Sequence, residues 1–235
     1  MKIALFAYNF EHKKTQDFIF YLLANNYKID VILAADPVQL NIKPSSVRTK
    51  IKHDFLIHPR TIAENFGIKY KVVEHNADKT ADILKEENID LAIISGARIL
   101  KKHIIESCNV GILNLHPAIL PECRGLDSLL WSLEKDIDLG VTGHLIQKQV
   151  DSGKIICKER IGIKKDDTIF DLNERLYDKQ LDVLIKSLNV LHQHGNHEDL
   201  EIIDLTYPNY GKMDHDQEIE AVEKLEEYIS KKLAL

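Results

Sequence analysis

With 235 residues, of which 44% are hydrophobic and 29% charged, the chain fits one α/β domain of ordinary size plus a short extension, and 6 Pro and 10 Gly do not suggest long disordered linkers. A formal charge of −6, from 31 basic and 37 acidic residues, argues against nucleic acid as the partner of the whole molecule. Three separated cysteines (Cys108, Cys123 and Cys157) fit neither a disulfide framework nor a CxxC zinc site, and no run reaches the roughly 18 apolar residues of a membrane span, so a soluble, cytoplasmic protein without a metal is expected.

Met1 to Ala7 is apolar but is cut short by polar residues from Asn9, and it reads as a first strand and not as a leader. Further short β-branched runs lie at Ile29 to Ala34, Tyr70 to Val73, Leu91 to Ser95 and Gly111 to Leu115, with helical periodicity between them at Thr80 to Glu87 and Ile99 to Ser107. Such alternation predicts a Rossmann-like α/β fold: a mostly parallel twisted sheet with helices on both faces. Ligands then bind beyond the carboxyl ends of the strands, here after Ala7, Ser95 and Leu115. A helix at about Leu126 to Lys135, with Leu129, Leu130, Trp131 and Leu133 as core, precedes a β-hairpin of Gly140 to Gln147 and Lys154 to Ile163 turned at Asp151-Ser152-Gly153. Next comes a long helix from Ile169 to Leu191, with Asp167 or Thr168 as its cap. His192, His194 and His197 follow at a spacing that fits no zinc pattern and read as a polar loop. The division expected is a catalytic domain over 1–195 and an extension over 196–235, the latter holding a strand near Glu201 to Leu205 and an amphipathic helix from Gln217 to Lys232. That helix docks on its own domain or builds a homodimer.

Asn114 and His116 stand two apart at the end of a predicted strand, so their side chains share one side of the sheet, and Pro117 stops the strand. Asp151, on the hairpin turn, can fold over them. An amide donor, a group that moves protons at neutral pH and a carboxylate suit acyl transfer to an amine. On the pattern alone, a histidine at a strand end is more often a surface or hydrogen-bonded structural residue.

The longer context is more specific. Asn114-Leu115-His116-Pro117, Leu120-Pro121, Arg124-Gly125, Gly140-Val141-Thr142-Gly143 and Val150-Asp151-Ser152-Gly153-Lys154-Ile155-Ile156 occur in one co-linear set, which resembles the signature region of the folate-dependent formyltransferases. A weaker likeness extends upstream through Ser95-Gly96-Ala97-Arg98-Ile99-Leu100. The resemblance implies that Asn114, His116 and Asp151 are catalytic. Asn114 and protonated His116 would hydrogen-bond the oxyanion, while Asp151 positions His116 and relays protons. It also implies 10-formyl-tetrahydrofolate as donor, in a slot lined by Arg98, Ile99, Leu100, His144, Gln149 and Val150. The acceptor amine would meet Tyr8, Asn9, Lys13, Pro117, Arg124 and Gly125.

Within the resemblance the acceptor is narrowed by exclusion. The turn after the first strand, Tyr8 to Thr15, has no glycine, unlike the phosphate-binding turn of glycinamide ribonucleotide formyltransferases. The tail after the long helix is short for a tRNA-formylating enzyme, and no segment precedes the first strand as in the formyl-tetrahydrofolate hydrolases. A nucleotide-linked amino sugar is therefore the expected acceptor, with Lys13, Lys14, Arg48 and Arg60 as cations that could meet its diphosphate. The alternatives are glycinamide ribonucleotide and a non-catalytic folate- or nucleotide-binding homologue.

Overall fold

The computed structural model of the chain describes residues 1–39, 44–193 and 199–234. Among these a seven-stranded sheet runs in the order β3-β2-β1-β4-β5-β7-β8. Its strands are β1 (Ile3–Tyr8), β2 (Val31–Ala35), β3 (Lys69–Val72), β4 (Leu91–Ile94), β5 (Gly111–His116), β7 (Gly140–Ile146) and β8 (Gly153–Arg160). β1 to β5 pair in parallel, and β7 and β8 close one edge antiparallel. The expected α/β fold with a mostly parallel sheet is the one found. β1 shows why its sequence is continuously apolar: Ile3, Leu5 and Ala7 enter one core and Ala4 and Phe6 the other, on opposite faces of the sheet.

The covering helices are α1 (Lys13–Ala24), α2 (Pro59–Asn65), α3 (Asp78–Glu86), α4 (Lys102–Ile105), α5 (Ser128–Glu134) and α6 (Ile169–Gln193). α1 and α2 have no counterpart in the sequence reading, which took Tyr8 to Thr15 as a turn; α1 begins inside that turn and buries Thr15, Phe18, Ile19 and Leu22. The helix expected at Ile99 to Ser107 shrinks to α4. The Asn76 side chain takes the Lys101 amide (2.7 Å) and donates to the Ile99 carbonyl (2.9 Å), which holds Ile99 to Lys101 as an extended loop. Gly143 lets α6 lie close on β7: a Cβ there would sit 2.2 Å from Ser187 Oγ. Thr168 caps α6, its Oγ1 accepting from the Asp171 amide, while Asp167 forms a two-pronged pair with Arg175 at 2.6 and 2.7 Å.

Beyond α6 the structure departs further from expectation. The strand near Glu201 to Leu205 is only an isolated bridge between Ile202 and Lys154. Instead β9 (Asn209–Tyr210) pairs with the short β6 (Arg124–Gly125). The final helix is two, α7 (His215–Glu223) and α8 (Leu225–Leu233), parted at Lys224. α8 packs in cis, with Tyr228 and Ile229 buried and the Tyr228 hydroxyl on the Ile137 carbonyl at 2.8 Å. His194, His197 and the expected boundary at 195/196 lie outside the described residues. No helix among the described residues is long and apolar enough to cross a membrane, and none of their His, Cys, Asp and Glu form a group of three that could hold a metal.

Candidate active site

β5 carries the centre of the site. Asn114 lies opposite His144 of β7 in the antiparallel ladder, and His116 lies opposite Thr142. Side chains of directly opposed residues project to the same face, so the pairing brings Asn114 and His144 together. Asn114 Nδ2 is 3.2 Å from His144 Nε2, and His144 Nδ1 is 3.2 Å from the Ser152 carbonyl. A carbonyl only accepts, so Nδ1 carries the His144 hydrogen and Nε2 offers its lone pair to the Asn114 amide. Burial, reinforced by the neighbouring His116, lowers the His144 pKa to about 4, which keeps the ring in that accepting form at neutral pH. Asn114 is thus held by one N–H and keeps the other for a ligand.

Thr142, fully buried, fixes the chain after Pro117: its hydroxyl donates to the Ala118 carbonyl (2.8 Å) and accepts from the Leu120 amide (3.0 Å). His116 Nε2 donates to the Cys123 carbonyl at 2.8 Å, and Nδ1 lies 3.5 Å from Asp151 Oδ1. Both ring nitrogens face protein acceptors, so the hydrogen bond expected from His116 to the oxyanion is not one the ring makes as it sits. The ring lies on the same strand as Asn114, held between the Cys123 carbonyl and the Asp151 carboxylate.

Asp151 stands on the β7–β8 turn with φ +44, and its Oδ2 accepts from the Gly125 amide at 2.7 Å. Gly153 makes the turn possible: at φ +118, a Cβ there would lie 1.9 Å from the Leu145 carbonyl oxygen. Arg124 reaches across to the Val150 carbonyl (2.9 Å) and to the Asp151 and Tyr207 carbonyls (3.2 Å each). The structure therefore makes Arg124, expected among the acceptor residues, a buried brace of the turn.

Two cavities meet at this wall. One, of about 220 Å³, is lined by Arg98, Ile99, Leu100, Asn114, Gln149, Val150 and Asp151 among others. Of the residues expected in the donor slot only His144 is missing, being 0% exposed behind Asn114. The other cavity, of about 250 Å³, lies on the His116 side and is lined by Pro117, Gly125, Leu126, Asp127, Thr49, Lys50 and Asn173 among others. Tyr8, Asn9 and Lys13 do not line it. Tyr8 faces a separate cavity of about 700 Å³ beyond β1, β2 and β3. Asn9 is held by Asp36 (2.6 Å) and Tyr70 (2.7 Å), and Lys13 is paired with Asp17 at 2.6 Å.

Lys14 and Lys50 went unpaired instead. Among the described residues neither has an ion-pair partner, and Lys14 Nζ donates to the neutral Gln180 at 2.8 Å. Burial, then the charge of Lys50, brings the Lys14 pKa down to about 8. The same two influences, with Lys14 added, hold His12 to about 4, so its Nδ1–H feeds the chain His12, Thr15, Ser95, Phe6 carbonyl. Arg48 and Arg60 are engaged within the chain, over the rings of Phe170 and Tyr70. Lys50 and Asn173 escaped the sequence reading, because no local motif marks a loop lysine and a helix amide that only the fold brings to His116.

A family model described as formyl transferase matches residues 14–188, which contain the whole Asn114, His116 and Asp151 cluster. The chain belongs to the formyl transferase family. In Homo sapiens, the trifunctional purine biosynthetic protein adenosine-3 is 33% identical over 124 residues, 48% of this chain and 12% of that protein. The methionyl-tRNA formyltransferase of Flavobacterium johnsoniae is 29% identical over 177 residues, 74% of this chain and 53% of that protein. The matched stretches thus span about half or less of these curated relatives. The solved formyltransferase PseJ from Anoxybacillus kamchatkensis, in complex with UDP-4,6-dideoxy-4-formamido-L-AltNAc and tetrahydrofolate, superposes with a TM-score of 0.59 at 19% identity, covering 99% of this chain and 97% of that one. At that identity the likeness is one of fold.

Proposed function

We propose that this formyl transferase family member moves a formyl group from 10-formyl-tetrahydrofolate to the amine of a small phosphate-bearing acceptor, most closely a nucleotide-linked amino sugar. The observation that carries the reading is the shared wall: Asn114 and Asp151 line one cavity and His116 the other. A two-substrate transfer needs two such compartments meeting at one reacting centre. The pterin end of the donor occupies the cavity of Arg98 to Leu100, and the acceptor enters beside His116.

The amine lone pair forms the new N–C bond to the formyl carbon, and the carbonyl electrons move onto oxygen, where the free N–H of Asn114 and the charge of His116 stabilise them. Asp151 takes the proton released by the amine and returns it to the departing folate nitrogen as the old C–N bond breaks. Lys14 and Lys50 support the phosphate. Two neighbouring ammonium groups without carboxylates, one on the lining of the second cavity, repel each other until an anion is placed between them. That PseJ, a neighbour of the same fold, is in complex with a UDP-linked formamido sugar and tetrahydrofolate is in keeping with the sugar reading.

The test is tetrahydrofolate release, followed by absorbance, with pooled nucleotide-linked amino sugars, with glycinamide ribonucleotide and without acceptor. Release with the sugars alone supports the proposal. Release with glycinamide ribonucleotide alone moves the acceptor to the purine precursor, and equal release in all three tubes makes the chain a hydrolase.

A further inference from the structure

The second cavity is walled in part by residues whose positions depend on a segment outside the family-matched span. Lys212 lies between β9 and α7, beyond residue 188. Its Nζ donates to Glu218 Oε1 at 2.6 Å, Ser45 Oγ at 2.9 Å and Asp127 Oδ2 at 3.1 Å. Ser45 and Asp127 both line the cavity. Asp127 sits at φ +48, a left-handed conformation that costs a non-glycine residue energy, and it is held there by Lys212 and by the Met213 amide at 2.9 Å. Glu218 is 1% exposed and takes the amides of Ser46 and Val47, so the same carboxylate that pairs Lys212 also anchors the strand of chain leading to Thr49 and Lys50. Burial works against its charge, yet the bonds from Lys212 and the Ser46 amide outweigh it and the Glu218 pKa falls.

We infer that Lys212 is a positioning residue that sets the acceptor's place, by tying Asp127 and the segment carrying Lys50 to helix α7. The inference rests on the reading of the second cavity as the acceptor site. Three acceptors, on two separate stretches of chain and on α7, converge on one ammonium, and an ordinary surface ion pair would not link them. The family's shared stretch supplies the chemistry at Asn114, and this added segment shapes what reaches it. Acceptor choice is therefore tuned from residues 209–223 without touching the reacting groups.

The test uses the full chain with Lys212→Met, which keeps the length of the side chain and removes its charge. The acceptor is whichever member of the panel above makes the wild type release tetrahydrofolate. The acceptor KM should rise about tenfold, with kcat and the donor KM within about twofold, and Lys212→Arg should recover most of the loss. Amide hydrogen exchange at Ser46 and Val47 should quicken in the same variant. An unchanged acceptor KM, or kcat and both KM values moving together, overturns the positioning role. If Lys212→Met does not fold, Ser45→Ala removes one contact while sparing the buried pair, and it should raise the acceptor KM about threefold; no rise overturns the inference. A wild type inactive with every acceptor takes down the function reading and this one together, whereas an active wild type with an indifferent variant takes down this one alone.

Discussion

The cavity of Arg98 to Leu100 and the cavity of His116 and Lys50 share a wall but are assembled differently. The first lies between the loop after β4 and the β7–β8 turn, with Asn114 of β5 in its lining, and its lining residues all fall within the family-matched span. The second draws on the segment before α2, the loop after β5, α5 and α6, and it is braced by a lysine near the carboxyl terminus. The difference teaches that the reacting centre and donor side belong to the sheet, while the acceptor side is a convergence of distant pieces. Changes on the wall should therefore act on chemistry, and changes on the acceptor side on binding.

The largest expected effect is at the wall. Asn114→Ala removes the free amide N–H and should lower kcat by roughly 100- to 1,000-fold, about 2.7 to 4 kcal/mol of transition-state stabilisation, with both substrates still binding. Steady-state rates of tetrahydrofolate release measure it, and a loss of only a few-fold would move the oxyanion site elsewhere. On the acceptor side, Lys14→Met should raise the KM of a phosphate-bearing acceptor about tenfold and leave kcat alone. The wild-type kcat/KM for that acceptor should fall as pH rises through about 8, because Lys14 loses its proton there, and the variant should lack that limb.

How far each region can be read from sequence follows from its construction. Asn114, His116 and Asp151 are legible because strand alternation and one turn bring them together, and the antiparallel ladder then supplies His144. The role of His144 was hidden, since only cross-strand pairing reveals that it lies behind Asn114 and outside the slot. The helix α1 was missed because Lys13 to Thr15 look like loop, and their helix is secured by Phe18, Ile19 and Leu22 packing on the sheet. The sequence offers Lys13 and Lys14 alike as cations for a diphosphate and puts Lys13 in the acceptor set; an i,i+4 pairing with Asp17 separates the two, and that requires the helix. Lys212 had no signal at all, because its three partners come from residues 45, 127 and 218.

Two smaller effects sharpen the contrast. His144 has a folded pKa of about 4 against 6.5 for the free ring, so the unfolded chain binds more protons between those values. Its contribution to stability is complete above pH 6.5 and is lost as pH falls through 4. Melting temperatures across that window should drop by several degrees more in the wild type than in His144→Gln. Smallest of all, Lys13→Met removes the partly exposed pair with Asp17 and the ammonium over the Tyr177 ring, and rate and acceptor KM should stay within about twofold of wild type. A Lys13 effect as large as that of Lys14 would put Lys13 back in the phosphate site.

The claim that joins the two regions is direct transfer across one wall, and following the formyl group itself tests it. With isotope-labelled 10-formyl-tetrahydrofolate and a nucleotide-linked amino sugar, label should appear in the sugar mole for mole with the tetrahydrofolate released. Label recovered as formate at a rate indifferent to acceptor would contradict the account.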